Sequence, residues 1–267
     1  MKETGQGLFD LTGRVVAVVG AGSGIGEAAA RACARQGATV ACLDLDAESA
    51  DRVAAAIREA GGRAWSAAVD IRDADQVEAV LEATTEELGG LHGTVCTPGV
   101  NVRKPLLEYT SDEFDRVVDV NLRGSFHLLR SAARRMEEGG SIVLFSSIRA
   151  QVVEPGQGVY AATKAGVIQL ARTAAAELSG RGIRVNAICP GVVETPLTAP
   201  IKAHPDWYDA YAARNAMRRW GRPDELAGPV VFLLSEAASY VTGTALFVDG
   251  GWTAVDGRFQ PPGMDSR

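Results

Sequence analysis

Residues 14–26 read Arg14-Val15-Val16-Ala17-Val18-Val19-Gly20-Ala21-Gly22-Ser23-Gly24-Ile25-Gly26. The first six are a short, mostly β-branched run, which reads as a buried strand by composition and length. The glycine-rich segment follows directly. An alanine-rich stretch from Glu27 to Gln36 then reads as a helix and stops at Gly37. Strand, glycine turn and helix in that order is the context in which glycines mean phosphate binding rather than a flexible loop. Bare backbone can turn tightly and approach a pyrophosphate, whose charge is met by the helix N-terminus. The spacing is Gly-x-x-x-Gly-x-Gly with Gly22 in addition, and it differs from the Gly-x-Gly-x-x-Gly of the standard dinucleotide fingerprint.

A second strand, Thr39 to Leu43, ends at Asp44, eighteen residues beyond Gly26. A carboxylate at the tip of the second strand suits hydrogen bonds to a ribose diol and repels a 2′-phosphate. Neither Ser23 nor Leu45 supplies a cation to offset that repulsion, so the expected cofactor is NAD rather than NADP. Asp46 is placed to cap the following helix, which leaves Asp44 for the ribose.

The alternation continues along the chain. Apolar strands are expected near 14–19, 39–43, 64–69, 93–96, 141–146, 183–188 and 245–248. Helices are expected near 24–36, 46–60, 73–89, 111–136, 157–179 and 223–235. Continuous apolar strands between amphipathic helices predict a seven-stranded parallel sheet with helices on both faces, a doubly wound α/β fold in one domain over 1–267. Residues 192–222 break the rhythm with Pro196, Pro200, Pro205 and a group of aromatics and arginines. They read as an insertion over the C-terminal edge of the sheet, a lid on the substrate, and 253–267 reads as a C-terminal extension.

With 267 residues, a net charge of −6 and no basic tract, the chain does not suit nucleic acid. No apolar run is long enough for a membrane span. The polar first residues lack the apolar core of a signal peptide. Cys33, Cys42, Cys96 and Cys189 are scattered without metal-ligand spacing, and the histidines are dispersed as well. A cytoplasmic protein without a metal site is the expectation.

Tyr160-Ala161-Ala162-Thr163-Lys164 lies on the helix expected at 157–179, with Ser147 thirteen residues upstream. Tyrosine and lysine at i and i+4 share a helix face. The ammonium there is expected to lower the phenol pKa toward the range of efficient proton transfer. A nearby serine hydroxyl can hold a substrate oxygen. By itself the pair also fits a solvated lysine beside a half-buried ring.

Taken together these segments resemble the short-chain dehydrogenase/reductase family, from about residue 11 to residue 252. That resemblance implies a Rossmann fold in which Gly20, Ser23, Gly24, Ile25 and Gly26 meet the cofactor pyrophosphate, and Asp44 and Leu45 its ribose. It places Asp70 and Ile71 against the adenine, with Gly99 beside the cofactor. Pro190-Gly191, Val193 and Thr195 hold the nicotinamide end. Ser147, Tyr160 and Lys164 fall on the family's catalytic serine, tyrosine and lysine. Asn121, in Asp119-Val120-Asn121-Leu122-Arg123-Gly124, falls on the asparagine that supports its proton relay. Tyr160 and Lys164 are also cofactor contacts in that scheme. Two positions depart from the pattern. Val19 stands where threonine is usual, which removes one hydrogen bond. Cys96-Thr97-Pro98-Gly99 stands where Asn-Asn-Ala-Gly is common, and Pro98 removes a backbone donor.

The implied activity is NAD-dependent interconversion of a secondary alcohol and a ketone. A 3-oxoacyl reductase is the alternative, and a non-catalytic NAD-binding regulator the remote one. Arg103, Arg149, Gln157 and Trp207 are the candidate substrate residues, and two arginines among polar groups suit a sugar acid or polyol-like molecule. The helix from Tyr160 to Ser179 is apolar on nearly every face, which suggests a buried second side. The family usually forms homotetramers through it, so a homotetramer is expected, with the tail around Asp256 to Pro262 docking on a neighbour.

Overall fold

The structure, a computed structural model, describes residues 7–136 and 139–255. The proposed docking of the tail at 256–262 therefore lies outside the described residues. Seven strands form one sheet in the order β3-β2-β1-β4-β5-β6-β7. They are β1 Val15–Val19, β2 Thr39–Asp44, β3 Arg63–Ala68, β4 Gly93–Cys96, β5 Gly140–Phe145, β6 Ile183–Pro190 and β7 Ala245–Val248. Every neighbouring pair is parallel. β6 runs past the expected end because Cys189 and Pro190 pair with Phe247 and Val248.

The pleat sorts each strand's side chains between two cores. Val16, Val18, Val40 and Cys42 face one side, where α1 (Gly24–Arg35), α2 (Ala47–Glu59) and α9 (Asp224–Leu234) pack. Ala17, Val19, Ala41 and Leu43 face the other, against α3 (Ala74–Leu88), α5 (Gly124–Arg135) and α6 (Gly158–Leu178). The result is the doubly wound Rossmann fold, in which a central strand such as β1 is apolar throughout because both its faces are covered. Local signals set the helix starts. Asp46 caps α2 by accepting from Glu48 N, and Asp73 caps α3 by accepting from Asp75 and Gln76 N.

The helix expected over 111–136 is interrupted. α4 (Ser111–Val118) opens with a capping box between Thr110 and Glu113, then gives way to a π-helical turn at Asp119–Arg123 before α5 begins. Such turns carry one residue more than an α-helix can hold and recur at functional positions. Residues 192–222 fold as a short 3-10 turn at Pro196–Thr198, α7 (Ala199–Lys202) and α8 (Pro205–Ala212). Trp207, Tyr208, Tyr211, Trp220 and Trp252 pack there into a separate aromatic cluster.

Candidate active site

Chain order reverses between β1 and β4, so the loops after these strands diverge and open a crevice at their C-terminal ends. A cavity of about 570 Å³ fills that crevice. Gly20, Ser23, Gly24, Ile25 and Gly26 line one part of it, Asp44 and Leu45 the tip of β2, and Asp70 and Ile71 the segment after β3. Gly99, Pro190, Gly191, Val193 and Thr195 line it further along, where Ser147, Tyr160 and Lys164 also meet it. The expected cofactor residues thus share one continuous wall.

The glycine loop is bare because nothing else fits. A Cβ on Gly26 would stand 1.9 Å from the Gly20 carbonyl oxygen, and one on Gly20 2.3 Å from Thr97 Oγ1. The Gly20 and Ala21 amides both donate to the Leu43 carbonyl, at 2.8 and 3.0 Å, which folds the loop back over β2. Asp44 is held by two backbone amides, Gly22 N at 2.8 Å and Asp46 N at 3.1 Å. Arg52 buttresses the loop from α2, donating to the Gly22 carbonyl at 2.6 Å and to Glu27 at 2.9 Å. Ser23 stands at the N-cap of α1 without a side-chain cap, so the first amides of the helix keep their positive end toward the crevice. Bare backbone, an open helix N-terminus and a fixed carboxylate at the tip of β2 fit a nicotinamide dinucleotide.

Tyr160 and Lys164 stand one turn apart on α6, with Lys164 Nζ 5.6 Å from the centre of the Tyr160 ring. Lys164 is buried and donates to the Phe145 carbonyl at 2.9 Å. Burial pushes its pKa down to about 8, opposed by the neighbouring Cys96 and Cys189 thiols. Ser146 turns inward and ties its hydroxyl to the Lys164 carbonyl at 2.7 Å. Ser147, at the end of β5, presents its hydroxyl to the cavity and accepts from Arg149 N at 3.1 Å.

The expected lowering of the Tyr160 pKa by Lys164 is not what this geometry produces. Burial raises the phenol, and the influences pulling it back are a hydrogen bond from Ser147 and then the charges of Arg149 and Arg103.

Asn121 is fully buried within the π-helical turn and off the cavity wall. Its amide reads the Val100 backbone from both sides, accepting from Val100 N at 2.8 Å and donating to Val100 O at 2.9 Å, and it also reaches Thr163 Oγ1 at 3.2 Å. It therefore fixes the loop after β4 against α6. Thr163 escaped the sequence reading, as did Arg72 and Arg116 on the cavity wall. Only Arg72 left a signal, lying two residues after Asp70, to which it is bonded at 2.6 Å. That pair keeps the Asp70 carboxyl below its usual pKa.

The four candidate substrate residues stand beside this cavity rather than on its wall. None of Arg103, Arg149, Gln157 and Trp207 lines the cavity. They form a packed network beside it, centred on Glu154 in the loop before α6. Arg149 Nη2 lies 2.5 Å from Glu154 Oε2, and the Tyr211 hydroxyl donates to the same carboxylate at 2.6 Å. Gln157 donates to Glu154 and accepts from Asn101 at 2.9 Å. Trp207 packs edge-on against Tyr211 with ring centres 5.9 Å apart. That Glu154 folds back onto the two arginines is not visible in the sequence.

Residues 20–253 match a family model described as enoyl-(acyl carrier protein) reductase. The chain is 43% identical over 245 residues to cis-4-hydroxycyclohexanecarboxylate dehydrogenase of Sinomonas cyclohexanicum, covering 91% of this chain and 97% of that one. It superposes on a short-chain type dehydrogenase/reductase from Mycobacterium marinum with a TM-score of 0.89 at 35% identity, covering 93% of this chain and 98% of the other. A gluconate 5-dehydrogenase from Burkholderia cenocepacia J2315, solved with NADP and tartrate, superposes with a TM-score of 0.91 at 33% identity over 94% of this chain and all of its own. On the extent of that match and these identities, the chain belongs to the short-chain dehydrogenase/reductase family.

Proposed function

We propose that this chain interconverts a secondary alcohol and a ketone with NAD, using Tyr160 as the acid/base. The observation that carries the reading is the crevice itself: one wall runs from the bare glycine loop to Ser147, Tyr160 and Lys164. When bound, the nicotinamide dinucleotide supplies the hydride acceptor for oxidation and the donor for reduction. Tyr160 takes the proton from the substrate hydroxyl in oxidation and returns it to the carbonyl oxygen in reduction. Ser147 donates to that same oxygen and stabilises the charge developing on it. Lys164 holds the cofactor side of the site and keeps its positive end near the phenol. Asn121 positions rather than touches, by pinning Val100 and Thr163. Asp44 supports NAD over NADP, because its carboxylate faces the cavity at the tip of β2 and repels an added phosphate. The structural relative solved with NADP makes that preference the point to measure.

The substrates supported by the relatives are ring and sugar-derived secondary alcohols, including hydroxy acids. The test is NADH formation from NAD or NADP across hydroxy acids, polyols, hydroxyacyl thioesters and simple secondary alcohols. NAD-dependent turnover that disappears in Tyr160→Phe is the expected result. Full turnover in that variant sinks the assignment, and a preference for thioesters moves the chain to the acyl reductase reading.

We further propose a homotetramer, with residues 192–222 as the substrate lid and the whole chain as one NAD-binding catalytic domain. The rings of Phe114 on α4 and Phe126 on α5 are exposed in the single chain, which supports burial against a partner. A monomer by light scattering at micromolar concentration overturns the assembly.

A further inference from the structure

The two guanidiniums beside Tyr160 are unequally engaged. Arg149 is 7% exposed and is spent: Glu154 holds its head group at 2.5 Å, and the rings of Trp252 and Tyr211 lie 5.3 and 5.9 Å from it. Arg103 reaches the same carboxylate only at 3.6 Å and the Tyr211 hydroxyl at 3.4 Å, with its side chain 32% exposed. Its guanidinium rests 5.0 Å from the centre of the Trp207 ring, which fixes its plane. A well-made guanidinium–carboxylate contact is about 2.7–2.9 Å, so Arg149 meets that standard and Arg103 does not.

The charges do not cancel. Two arginines share Glu154, leaving one positive charge on the trio. The neighbouring Lys104 is held by Glu113 at 2.6 Å, and Glu194 is engaged by Lys202 and Tyr208, so neither alters that balance directly. Arg214, exposed and 6.0 Å from the Trp252 ring, adds to the positive field at the rim. The surplus lies close to the reacting groups: Arg103 follows Val100, and Arg149 follows Ser147, both on the cavity wall. The charge of Arg103 is felt at the Tyr160 phenol.

We propose that Arg103 reads a carboxylate on the substrate, on a platform set by Trp207 and the Arg149–Glu154 pair, so that the chain prefers a hydroxy acid to the matching neutral alcohol. This rests on the secondary-alcohol reading above. A planar fork with unused donors matches a carboxylate in two parallel hydrogen bonds, and the single surplus charge matches a monoanion. Glu154 keeps Arg149 in place behind it.

The experiment compares 4-hydroxycyclohexanecarboxylate with its methyl ester as kcat/KM ratios, in the wild type and in Arg103→Gln and Arg103→Lys. The acid-to-ester ratio is expected to fall roughly tenfold or more in Arg103→Gln, mostly through KM, with partial recovery in Arg103→Lys, since truncating one member of a close charge pair commonly costs that much. A ratio unchanged by either substitution, or a wild type indifferent to acid and ester, overturns the proposal. A second arm needs no turnover: calorimetry of cyclohexanecarboxylate binding to NAD-loaded protein. Roughly tenfold weaker binding in Arg103→Gln supports the assignment, and equal binding refutes it. Failure of the secondary-alcohol reading would show separately, as turnover that survives Tyr160→Phe.

Discussion

The Thr97 hydroxyl donates to the Val19 carbonyl at 2.9 Å and extends to the Gly20 carbonyl at 3.3 Å. It ties the end of β4 to the end of β1 at the mouth of the crevice. Val19 occupies a position where the family resemblance leads one to expect threonine, and its side chain is buried in the sheet's core. Because both acceptors are backbone carbonyls, the tie depends on Thr97 and not on the side chain at position 19. Thr97→Val, nearly isosteric, is expected to lower stability by about 1 kcal/mol, the net worth of a typical internal hydrogen bond. Urea denaturation checks this; an unmoved midpoint removes the tie from the account.

Asp44 controls the cofactor choice through the carboxylate fixed by Gly22 and Asp46 amides. In Asp44→Ser, the preference for NAD over NADP in kcat/KM should shrink by roughly tenfold or more, a change of about 1.4 kcal/mol. Steady-state kinetics with both cofactors decides. A wild type that prefers NADP contradicts the assignment directly.

Lys164 makes the cofactor-free protein less stable than it could be. Its pKa falls from 10.5 in an exposed lysine to about 8 here. Between those values the unfolded chain binds the extra proton, so stability rises with pH across that window. Below pH 8 both states are charged and the burial penalty is fully present. Lys164→Met should therefore stabilise the apo protein at pH 7, by about 3 kcal/mol at most from a shift of this size, while abolishing turnover. The gain should shrink as pH approaches 10.5. A less stable variant at pH 7 would mean that the bond to the Phe145 carbonyl outweighs desolvation.

His92 carries a second pH signature. Its Nδ1 accepts from Val15 N at 3.0 Å, an arrangement open only to the unprotonated nitrogen. Burial, with Arg14 nearby, lowers its pKa below 6.5. The stability from the neutral ring is present above the unfolded value and is lost as pH falls through it toward the lowered folded one. Melting temperatures of wild type and His92→Asn should diverge as pH drops from about 7 to about 5, since an amide oxygen can accept the same bond without titrating. Parallel curves would exclude His92 as the source.

The seven strands were legible because central strands such as Val15–Val19 are covered on both faces and read as apolar runs. The helices were undercounted: α4 and α5 read as one, and α7 and α8 lie in the stretch read only as an insertion. That the glycines and Asp44 share one crevice was legible because they act through backbone shape and position, which spacing records. The substrate side was not. Arg149 and Arg103 look alike in a sequence, and only the fold of the loop through Glu154 decides which is consumed internally. The break in the helix at 119–123 was equally hidden, since Asp119 to Arg123 contains no proline or glycine to announce it. Nor does the Tyr160–Lys164 spacing convey burial, which sets the direction of both pKa changes.

The π-helical turn also makes chain length a constraint in its own right. Each residue in an α-helix advances the face by about 100°. The surplus residue between α4 and α5 sets the phase at which Val117 on one side and Leu128 and Ala132 on the other all point inward. Removing one residue anywhere in 119–123 would let the cylinder close up as a regular helix, yet swing Leu128 and Ala132 off the sheet or Asn121 off Val100. A one-residue deletion there, however conservative in composition, forces a choice between the core and the loop that frames the crevice.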